Sequence, residues 1–262
     1  EPRKDVEEIF DSHAHLCDEQ FIDDIGDVIG RARENHVNKI TLVTIDRKEF
    51  EAAINLKRKY PETILLCLGM HPCNADLNDI DAVVEDIRNC KEPLHGIGEC
   101  GLDFTKKTLG EDPEAVKKEQ YSVLLRQIEL ANELDLPLNI HSRQAGHYAI
   151  EFLKEHEAKK VVLHAFDGKS TYLRPALEAG YYFSIPPEVV RDPQKVKLVS
   201  KIPLDSLIIE SDAPALGPVK GERNEPMYCR RSCEKIAEIK AISTEEVARV
   251  TTANFKALFG VQ

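Results

Sequence analysis

Short apolar runs alternate with amphipathic stretches along the chain. Most of the runs are rich in Val, Ile and Leu, which is typical of parallel strands covered on both faces. The eight predicted strands are 9–16, 39–45, 64–70, 94–101, 137–142, 160–166, 181–185 and 206–212. Because amphipathic segments lie between the strands, the pattern predicts a series of β/α units.

The clearest helix is predicted after Glu111. Asp112 can cap its N-terminus, and Pro113 fits the first helical position, where a missing N–H removes no hydrogen bond. Apolar side chains then recur at helical spacing, at Tyr121, Leu124, Leu125, Ile128 and Ala131. Near the end of the chain, Ser243 and Glu246 form a capping box that predicts another helix.

The number of units distinguishes two architectures. Eight β/α units in roughly 250 residues predict an α/β fold of the (β/α)8 TIM-barrel type, as a single domain over residues 1–262. An open doubly wound sheet would place a glycine-rich phosphate loop after the first strand. That strand ends in DSHAHL, without glycine, which favours the barrel.

A long loop is predicted after the eighth strand. The stretch 213–226 contains several prolines and glycines and is typical of an active-site loop. Asn224 and Glu225 within it either close the loop through polar contacts or contact the substrate. The sequence leaves both interpretations open.

Composition narrows the class of protein. Hydrophobic residues make up 42% of the 262 residues, enough for a packed core. No apolar run approaches the ~20 residues that span a bilayer, and no signal-peptide pattern begins the sequence, so no membrane partner is expected. The net charge of −11 argues against a broad basic face, but it is compatible with a small cationic site.

The seven cysteines are odd in number and irregularly spaced. They predict an intracellular protein of a reducing compartment, cytoplasmic or nuclear, rather than a disulfide framework. Cys229 and Cys233 have the spacing of neighbours on one face of a helix, with redox chemistry as the alternative.

Five of the eight predicted strands end in histidine or an acidic residue. The first ends in His-x-His, whose two imidazoles lie on one side of a strand, about 6.6 Å apart along the chain. Alone, this pair is equally well explained by two histidines bonded to backbone inside the barrel. The whole set comprises His13, His15, Glu99, Asp103, His141, His164 and Asp212. In a barrel these strand ends meet at one face, where active sites of this fold lie.

Imidazoles and carboxylates crowded at one face would repel and desolvate one another without a cation, so the set predicts a metal centre. The mixture of donors suits zinc, manganese or magnesium rather than copper. Without Asp103 the set has six ligands, which are too many for one tetrahedral ion and fit two divalent ions that share Glu99, whose strand lies between the others. The expected ligands of one ion are His13, His15, Glu99 and Asp212, and those of the other are Glu99, His141 and His164.

Other polar residues near the strand ends have supporting roles in this hypothesis. His71, in the sequence GMHP, and Arg143, two residues after His141, could bind substrate phosphate. For Arg143 the alternative is a salt bridge to a carboxylate at the rim. Glu210 and Asp103 could each orient a metal ligand, with a further weak metal site as the alternative for Glu210.

The order and spacing of these motifs resemble the TatD family of metal-dependent deoxyribonucleases, within the amidohydrolase-like barrels. The motifs, which cover nearly the whole chain, are DSHAHL, GMHP, GIGECGLDF, NIHSR, VLHAFDG, YYFSIPP, ESDAP and RNEP. The likeness is greatest to the eukaryotic branch, with AFDG and SIPP. The resemblance implies a distorted barrel, two or more divalent ions and hydrolysis of DNA phosphodiesters. The family's metal ligands fall on His13, His15, Glu99, His141, His164 and Asp212.

We therefore expect a divalent-metal-dependent deoxyribonuclease that uses a water activated by two metal ions. The resemblance implies a 3′→5′ exonuclease, with single-stranded nucleic acid or strand ends as its substrate. Asp212 is expected to take the proton of the attacking water, and Glu99 to join the two ions. Cys100, which follows Glu99, and AFDG depart from the commoner family pattern and leave the choice of substrate open. Two alternatives remain: a barrel hydrolase of a small ester, lactone or amide, and a metal-binding interaction protein without turnover.

Overall fold

Eight parallel strands form a nearly closed barrel in the computed structural model, which describes residues 7–262. The strands are β1 Ile9–Ala14, β2 Val37–Leu42, β3 Ile64–Leu68, β4 Gly96–Gly101, β5 Leu138–His141, β6 Val161–His164, β7 Tyr182–Ile185 and β8 Leu207–Ile209. Each predicted strand is present and begins within two residues of the predicted start. The predicted barrel is thus confirmed. The domain prediction also includes residues 1–6, which lie outside the described residues.

Helices follow the strands and cover the outside of the barrel. They are α1 Ile25–Glu34, α2 Phe50–Lys59, α3 Ile80–Arg88, α4 Lys106–Leu109, α5 Pro113–Leu134, α6 Gly146–Glu155, α7 Leu173–Glu178, α8 Pro193–Lys201, α9 Cys229–Lys240 and α10 Thr244–Phe259. The predicted N-caps form: Asp112 accepts from the amide of Ala115 at 3.2 Å, and Ser243 accepts from the amide of Glu246 at 3.1 Å. The reciprocal bond of the capping box is not found within residues 7–262, since the Glu246 carboxylate accepts from Arg249 at 2.7 and 3.0 Å instead. Within residues 7–262, none of these helices combines the length and apolar character that a membrane crossing needs.

Helix α10 closes the amino end of the barrel with apolar side chains. Phe255 packs edge-on against Phe10 of β1, with ring centroids 5.2 Å apart, and Phe259 packs on Phe255 at 4.6 Å. Fully burying a phenylalanine contributes roughly 1.5–3 kcal/mol. The stabilising apolar core of the lumen therefore lies at the end opposite the polar strand ends.

Two irregularities in strand register occur where predicted metal ligands lie. Between β4 and β5, Glu99 has no pairing partner, although Gly98 and Cys100 on either side are paired. Between β1 and β2, the step from Asp11 to Ala14 is matched by a shorter step on β2. Such bulges turn side chains away from the regular alternation of a strand. The two ligand-bearing strands are therefore bent at the mouth of the barrel.

The seam between β8 and β1 is held by particular hydrogen bonds. The amide of Asp212 donates to the carbonyl of His13 at 2.8 Å. The buried carboxylate of Asp11 accepts the amide and the hydroxyl of Ser211 at 2.9 and 2.6 Å. Burial raises the pKa of Asp11 to about 7, although its bonds to Ser211 act in the opposite direction. This distorted seam brings together the strands that carry two predicted ligands.

All seven cysteines lie within the described residues, and each is a free thiol. Cys229 and Cys233 share the buried face of α9, as predicted. Burial raises the pKa of the Cys233 thiol to about 12 and that of Cys229 well above its ordinary value. Because the reactive form of cysteine is the thiolate, this pair is poorly suited to redox chemistry.

Candidate metal centre and active site

A cavity of about 350 Å³ opens at the carboxyl ends of the strands. The predicted site residues that line it are His15, His71, Glu99, His141, Arg143, His164 and Asp212. His13 is fully buried and contacts the same carboxylates. The structure thus brings the six predicted metal ligands together at one mouth.

Glycines in the sequence GIGECG allow β4 and β5 to approach closely. A Cβ at Gly98 would lie 2.7 Å from the Cβ of Asn139. At Gly101, whose φ is +146°, a Cβ would lie 1.9 Å from the carbonyl oxygen of His141. A side chain at either position would push β5 away. The close approach is what places His141 beside Glu99.

One oxygen of Glu99, Oε2, faces the histidines of the His-x-His pattern. It lies 3.3 Å from His13 Nε2 and 2.9 Å from His15 Nε2. Asp212 Oδ1 lies 3.3 and 3.4 Å from the same two nitrogens, which are 3.3 Å apart. Ligand atoms about 2.1 Å from a tetrahedral ion are about 3.4 Å from one another. The separations of these four side chains are close to that value.

The other oxygen, Glu99 Oε1, faces a second group of imidazoles. It lies 2.9 Å from His141 Nδ1, 3.0 Å from His164 Nε2 and 3.4 Å from His71 Nε2. The two oxygens of one buried carboxylate therefore face two separate groups of ring nitrogens. This is the arrangement expected of a carboxylate that bridges two ions.

Hydrogen bonds on the far side of three rings determine which nitrogen carries the proton. Asn139 Nδ2 donates to the carbonyl of Ser12 at 2.8 Å, which turns its Oδ1 to accept from His13 Nδ1 at 2.7 Å. The rings of His141 and His164 donate to carboxylates in the same way. His141 Nε2 lies 2.8 Å from Asp103 Oδ2, and His164 Nδ1 lies 2.9 Å from Glu210 Oε2. The remaining nitrogen of each ring then presents a lone pair to Glu99.

The donor set fits bound cations. Within residues 7–262, the buried Glu99 Oε2 accepts no hydrogen bond, although two imidazole nitrogens lie beside it. Burial lowers the pKa of His15, but the charges of Glu99 and Asp212 outweigh it and raise that pKa to about 10. Oxygen and nitrogen lone pairs that converge without a donor require positive charge between them. Divalent metal ions provide it with the ligand types present here.

Electrostatics keep Asp212 ionised at the mouth. Burial raises its pKa, but the nearby imidazoles of His13 and His15 and the charge of His164 outweigh this and hold the pKa well below its usual range. Its φ of 55° lies in the left-handed region, as do those of Ala165 (44°) and Leu216 (52°), which line the same cavity. Each such residue costs roughly 1–3 kcal/mol of backbone strain, which proteins retain mainly at functional sites.

His71 and Arg143 both line the cavity, where His71 is oriented by a backbone hydrogen bond and Arg143 is not held by an ion pair within residues 7–262. The amide of Cys73 donates to His71 Nδ1 at 3.0 Å, so the neutral ring carries its proton on Nε2, which points toward Glu99. His71 is thus a donor rather than a lone-pair ligand. Arg143 is exposed and forms no ion pair with any residue in the range 7–262, so the salt bridge considered for it is not found.

Asp103 and Glu210 each hold a ring of the centre. Besides His164, Glu210 accepts from the amide of Ala165 at 2.6 Å and the hydroxyl of Ser184 at 3.0 Å. Both of its oxygens are therefore occupied by donors. Although Glu210 lies in a group of possible ligands with His13, His164 and Asp212, these bonds favour a positioning role.

Asn224 and Glu225 close the loop after β8. Asn224 Nδ2 donates to the carbonyls of Ser211 and Ala215 at 2.6 and 2.7 Å. Glu225 accepts two hydrogen bonds from Arg31, at 2.8 and 2.9 Å. Neither residue is among those that line the cavity. The structure supports the loop-closing interpretation of the two that the sequence left open.

Sequence reasoning missed three polar residues of the site. Asp11 and Asn139 each lie two residues before a predicted ligand on the same strand, and this spacing was an available signal. Lys195 on α8 carried no such signal, since nothing in the sequence distinguishes it from the other lysines of that helix. It is 4% exposed and lines the cavity, with Nζ 3.4 Å from the carbonyl of Ala165 and 3.8 Å from Glu188 Oε2. This ammonium is poorly satisfied for a buried charge.

Comparison with known proteins identifies relatives over nearly the whole chain. A family model described as TatD related DNase matches residues 10–260. The human deoxyribonuclease TATDN3 is 44% identical over 260 residues, which cover 96% of this chain and 94% of that protein. The 3′-5′ ssDNA/RNA exonuclease TatD of Erwinia tasmaniensis is 31% identical over 265 residues, covering 97% of this chain and 100% of that protein.

A solved structure shares the fold. The crystal structure of YJJV, a TatD homologue from Escherichia coli, superposes with a TM-score of 0.88 at 25% identity, covering 97% of this chain and 98% of that one. The barrel is therefore shared with a solved relative.

Proposed function

The chain belongs to the TatD family of related DNases, and from this premise we propose that it is a metal-dependent hydrolase that cleaves phosphodiester bonds of DNA. The observation that supports this most strongly is the position of Glu99. Each of its oxygens faces a different group of imidazole nitrogens, at 2.9–3.3 Å for His13 and His15 and at 2.9–3.0 Å for His141 and His164. Cations held by the two groups of imidazoles would contact the phosphate of a phosphodiester from two directions.

We assign two divalent ions to the centre, with zinc, magnesium or manganese as the metals that suit its ligands. The ligands of the first are His13, His15, Glu99 and Asp212, and those of the second are Glu99, His141 and His164. When bound, such ions polarise a phosphoryl group and lower the pKa of water.

Asp212 is the proposed general base. Oδ1 faces the two imidazoles of β1, whereas Oδ2 has no hydrogen-bond partner within residues 7–262. The low pKa of this carboxyl keeps it deprotonated at neutral pH. Because Asp212 lines the cavity, its free oxygen is placed to accept the proton of an attacking water.

His71, Arg143 and Lys195 are the proposed phosphate-binding residues. The Nε2–H of His71 and the guanidinium of Arg143 present donors to the cavity. The ammonium of Lys195 approaches from α8 with only weak protein partners. Hydrogen bonds from these donors to the phosphate oxygens become stronger as negative charge develops on those oxygens during the reaction.

The size and charge of the mouth support strand ends as the substrate. A volume of about 350 Å³ accommodates a group of nucleotide size and excludes a duplex. The net charge of −11 also disfavours long contacts with duplex phosphates. We therefore propose exonuclease action on single strands from the 3′ end, which is the activity that the name of the Erwinia relative states. The free cysteines are compatible with an intracellular site of action, nuclear or cytoplasmic.

A chelator-sensitive assay tests this function. End-labelled single strands, duplexes with recessed ends and a panel of small esters are incubated with added magnesium, manganese or zinc. We expect metal-dependent shortening of the single strand from its 3′ end and loss of activity with chelator. Hydrolysis of esters alone would contradict the nuclease proposal and favour a small-molecule hydrolase. No turnover of any substrate by metal-loaded protein would favour a binding protein.

A further inference from the structure

Two chain segments leave the mouth side by side and carry aromatic rings to the rim. Arg143, after β5, and Asp167, after β6, both line the cavity. A few residues further along these segments, His147 and Tyr172 stack, with ring centroids 4.4 Å apart and planes inclined by 18°. The stacked pair therefore lies next to the cavity on the Arg143 side.

The stack continues into a row. The ring of Tyr148 lies 3.9 Å from that of His147, and Phe104 lies 5.4 Å from Tyr148. Phe104 directly follows Asp103, whose carboxylate bonds the ring of His141 in the metal centre. We call Phe104, Tyr148, His147 and Tyr172 the aromatic row. It extends from the edge of the centre to the outer surface.

The row is only partly explained by packing. Tyr148 is 43% exposed, so much of its ring faces solvent. A groove of about 340 Å³ lies beside His147 and Tyr172, between α6 and α7, and is also lined by Ile150, Pro175, Lys154 and Glu151. Apolar side chains, partly exposed rings and the Lys154 ammonium form the type of surface on which nucleobases stack, and Glu151 brings one negative charge to the same groove.

Charge indicates the direction in which a strand would leave the mouth. Near α8 the cavity is lined by Glu188, Asp192 and Lys195, whose formal charges add to −1. On the other side it is lined by Asp167 and Arg143, whose formal charges cancel, and Arg143 forms no ion pair within residues 7–262. A polyanion with its end in the mouth is therefore favoured to pass Arg143 and reach the aromatic row.

We propose that the aromatic row and the adjoining groove form a base-stacking track for a single-stranded nucleic acid whose end occupies the mouth. The track rests on the proposed nuclease function and specifies its substrate: a strand several nucleotides long, rather than a dinucleotide or a small ester. Stacking on rings tolerates any base, so the track gives length preference without sequence preference.

The test measures affinity for thymidine oligonucleotides of two and eight residues, (dT)2 and (dT)8. Binding of 5′-labelled strands is followed by fluorescence anisotropy in the presence of chelator, which prevents cleavage. In parallel, KM and kcat are measured on metal-loaded enzyme. We expect Tyr148→Ala and His147→Ala each to weaken (dT)8 binding roughly tenfold, with a similar rise in its KM and little change in kcat. The preference for (dT)8 over (dT)2 then falls toward one.

Two controls separate stacking from disturbance of the fold. Tyr148→Phe keeps the ring and is expected to bind (dT)8 like the unaltered protein. Tyr60, between α2 and β3 at the opposite end of the barrel, is also a partly exposed tyrosine, and Tyr60→Ala should not affect the length preference. Circular dichroism of all variants establishes that they are folded.

The outcomes distinguish this proposal from the function on which it rests. If the unaltered protein cleaves strands without length preference, or if folded Tyr148→Ala and His147→Ala bind (dT)8 normally, the track is wrong and the nuclease proposal stands. If the protein binds (dT)8 through the row but cleaves no phosphodiester, the nuclease proposal is wrong and the track remains.

Discussion

The two sides of Glu99 hold their imidazoles in different ways. We call them the Oε2 side, with His13, His15 and Asp212, and the Oε1 side, with His141 and His164. On the Oε2 side the buried ring of His13 donates to the neutral amide of Asn139 at 2.7 Å. On the Oε1 side both rings donate to carboxylates, at 2.8 Å to Asp103 and at 2.9 Å to Glu210.

The difference concerns where negative charge is placed. A carboxylate behind an imidazole makes the ring a stronger ligand without entering the cavity itself. The Oε2 side instead has its extra carboxylate, Asp212, in the cavity wall, where it can also accept a proton. The comparison supports the proposal that the two sides have different roles, in which the Oε1 side would bind a cation through reinforced imidazoles and the Oε2 side would provide the base.

The carboxylate of Glu99 is shared by the two sides, and removal of its charge has the largest expected effect on metal content and activity. In Glu99→Gln, the amide nitrogen must face one of the two groups of ring nitrogens, so that side loses its oxygen ligand and the other side keeps only a neutral carbonyl oxygen. We expect metal content well below that of the unaltered protein. We also expect activity to fall by more than about a thousandfold, beyond the 10²–10³-fold loss typical of one electrostatic group. Inductively coupled plasma mass spectrometry and the single-strand assay measure the two quantities, and full metal content would contradict the bridging role.

Asp212→Asn acts on the Oε2 side alone. The amide cannot take a proton, so turnover should fall roughly a hundredfold to a thousandfold while the fold is kept. The matched control is Asp192→Asn, also in the cavity wall. There the side chain accepts from the amide of Gln194 at 2.9 Å as the cap of α8, and asparagine caps equally well. Retained turnover in Asp212→Asn would refute the base role.

The partners behind the rings give the next largest effect and sharpen the comparison directly. His164, Ala165 and Ser184 all donate hydrogen bonds to the carboxylate of Glu210. In Glu210→Gln, the new amide NH2 group must therefore face at least one of these donors and loses that hydrogen bond. We expect metal affinity to fall roughly 10–100-fold, with activity regained at high metal concentration. Asn139→Ala removes a neutral partner from His13 and should have the smaller effect. Equal losses in the two variants, measured by metal titration, would remove the distinction between the sides.

The residues at the strand ends were predictable from sequence because the carboxyl ends of all eight strands of a barrel lie at the same face. His13, Glu99 and Asp212 each follow an apolar run, and the fold alone places such residues at the mouth. The proton positions were not predictable, since they depend on atoms such as the amide of Asn139. The bulge at Glu99 was also missed, because register depends on the neighbouring strand. Lys195 comes from a helix whose approach to the mouth is a tertiary feature.

Lys195 and Arg143 provide the mildest test, since they act on substrate and not on either side of Glu99. Lys195 is buried, whereas Arg143 is exposed, so the same positive charge lies in two different environments. A hydrogen bond from a charged group is worth about 1.5–3 kcal/mol when buried, and an exposed pair less than about 1 kcal/mol. Lys195→Met should therefore raise KM for a single strand at least about tenfold, and Arg143→Ala no more than about fivefold.

The salt dependence of these two variants separates a phosphate contact from support of the fold. A cation that neutralises a phosphate contributes to the slope of log affinity against log salt, by about 0.7 for a single strand. Either variant should therefore lower that slope if its side chain binds phosphate. The alternative role of Lys195 is its ion pair with Glu188 at 3.8 Å, whose loss would destabilise α8 without removing a phosphate contact. In that case the slope is unchanged and the melting temperature falls instead, which would leave Arg143 as the cation that meets the substrate.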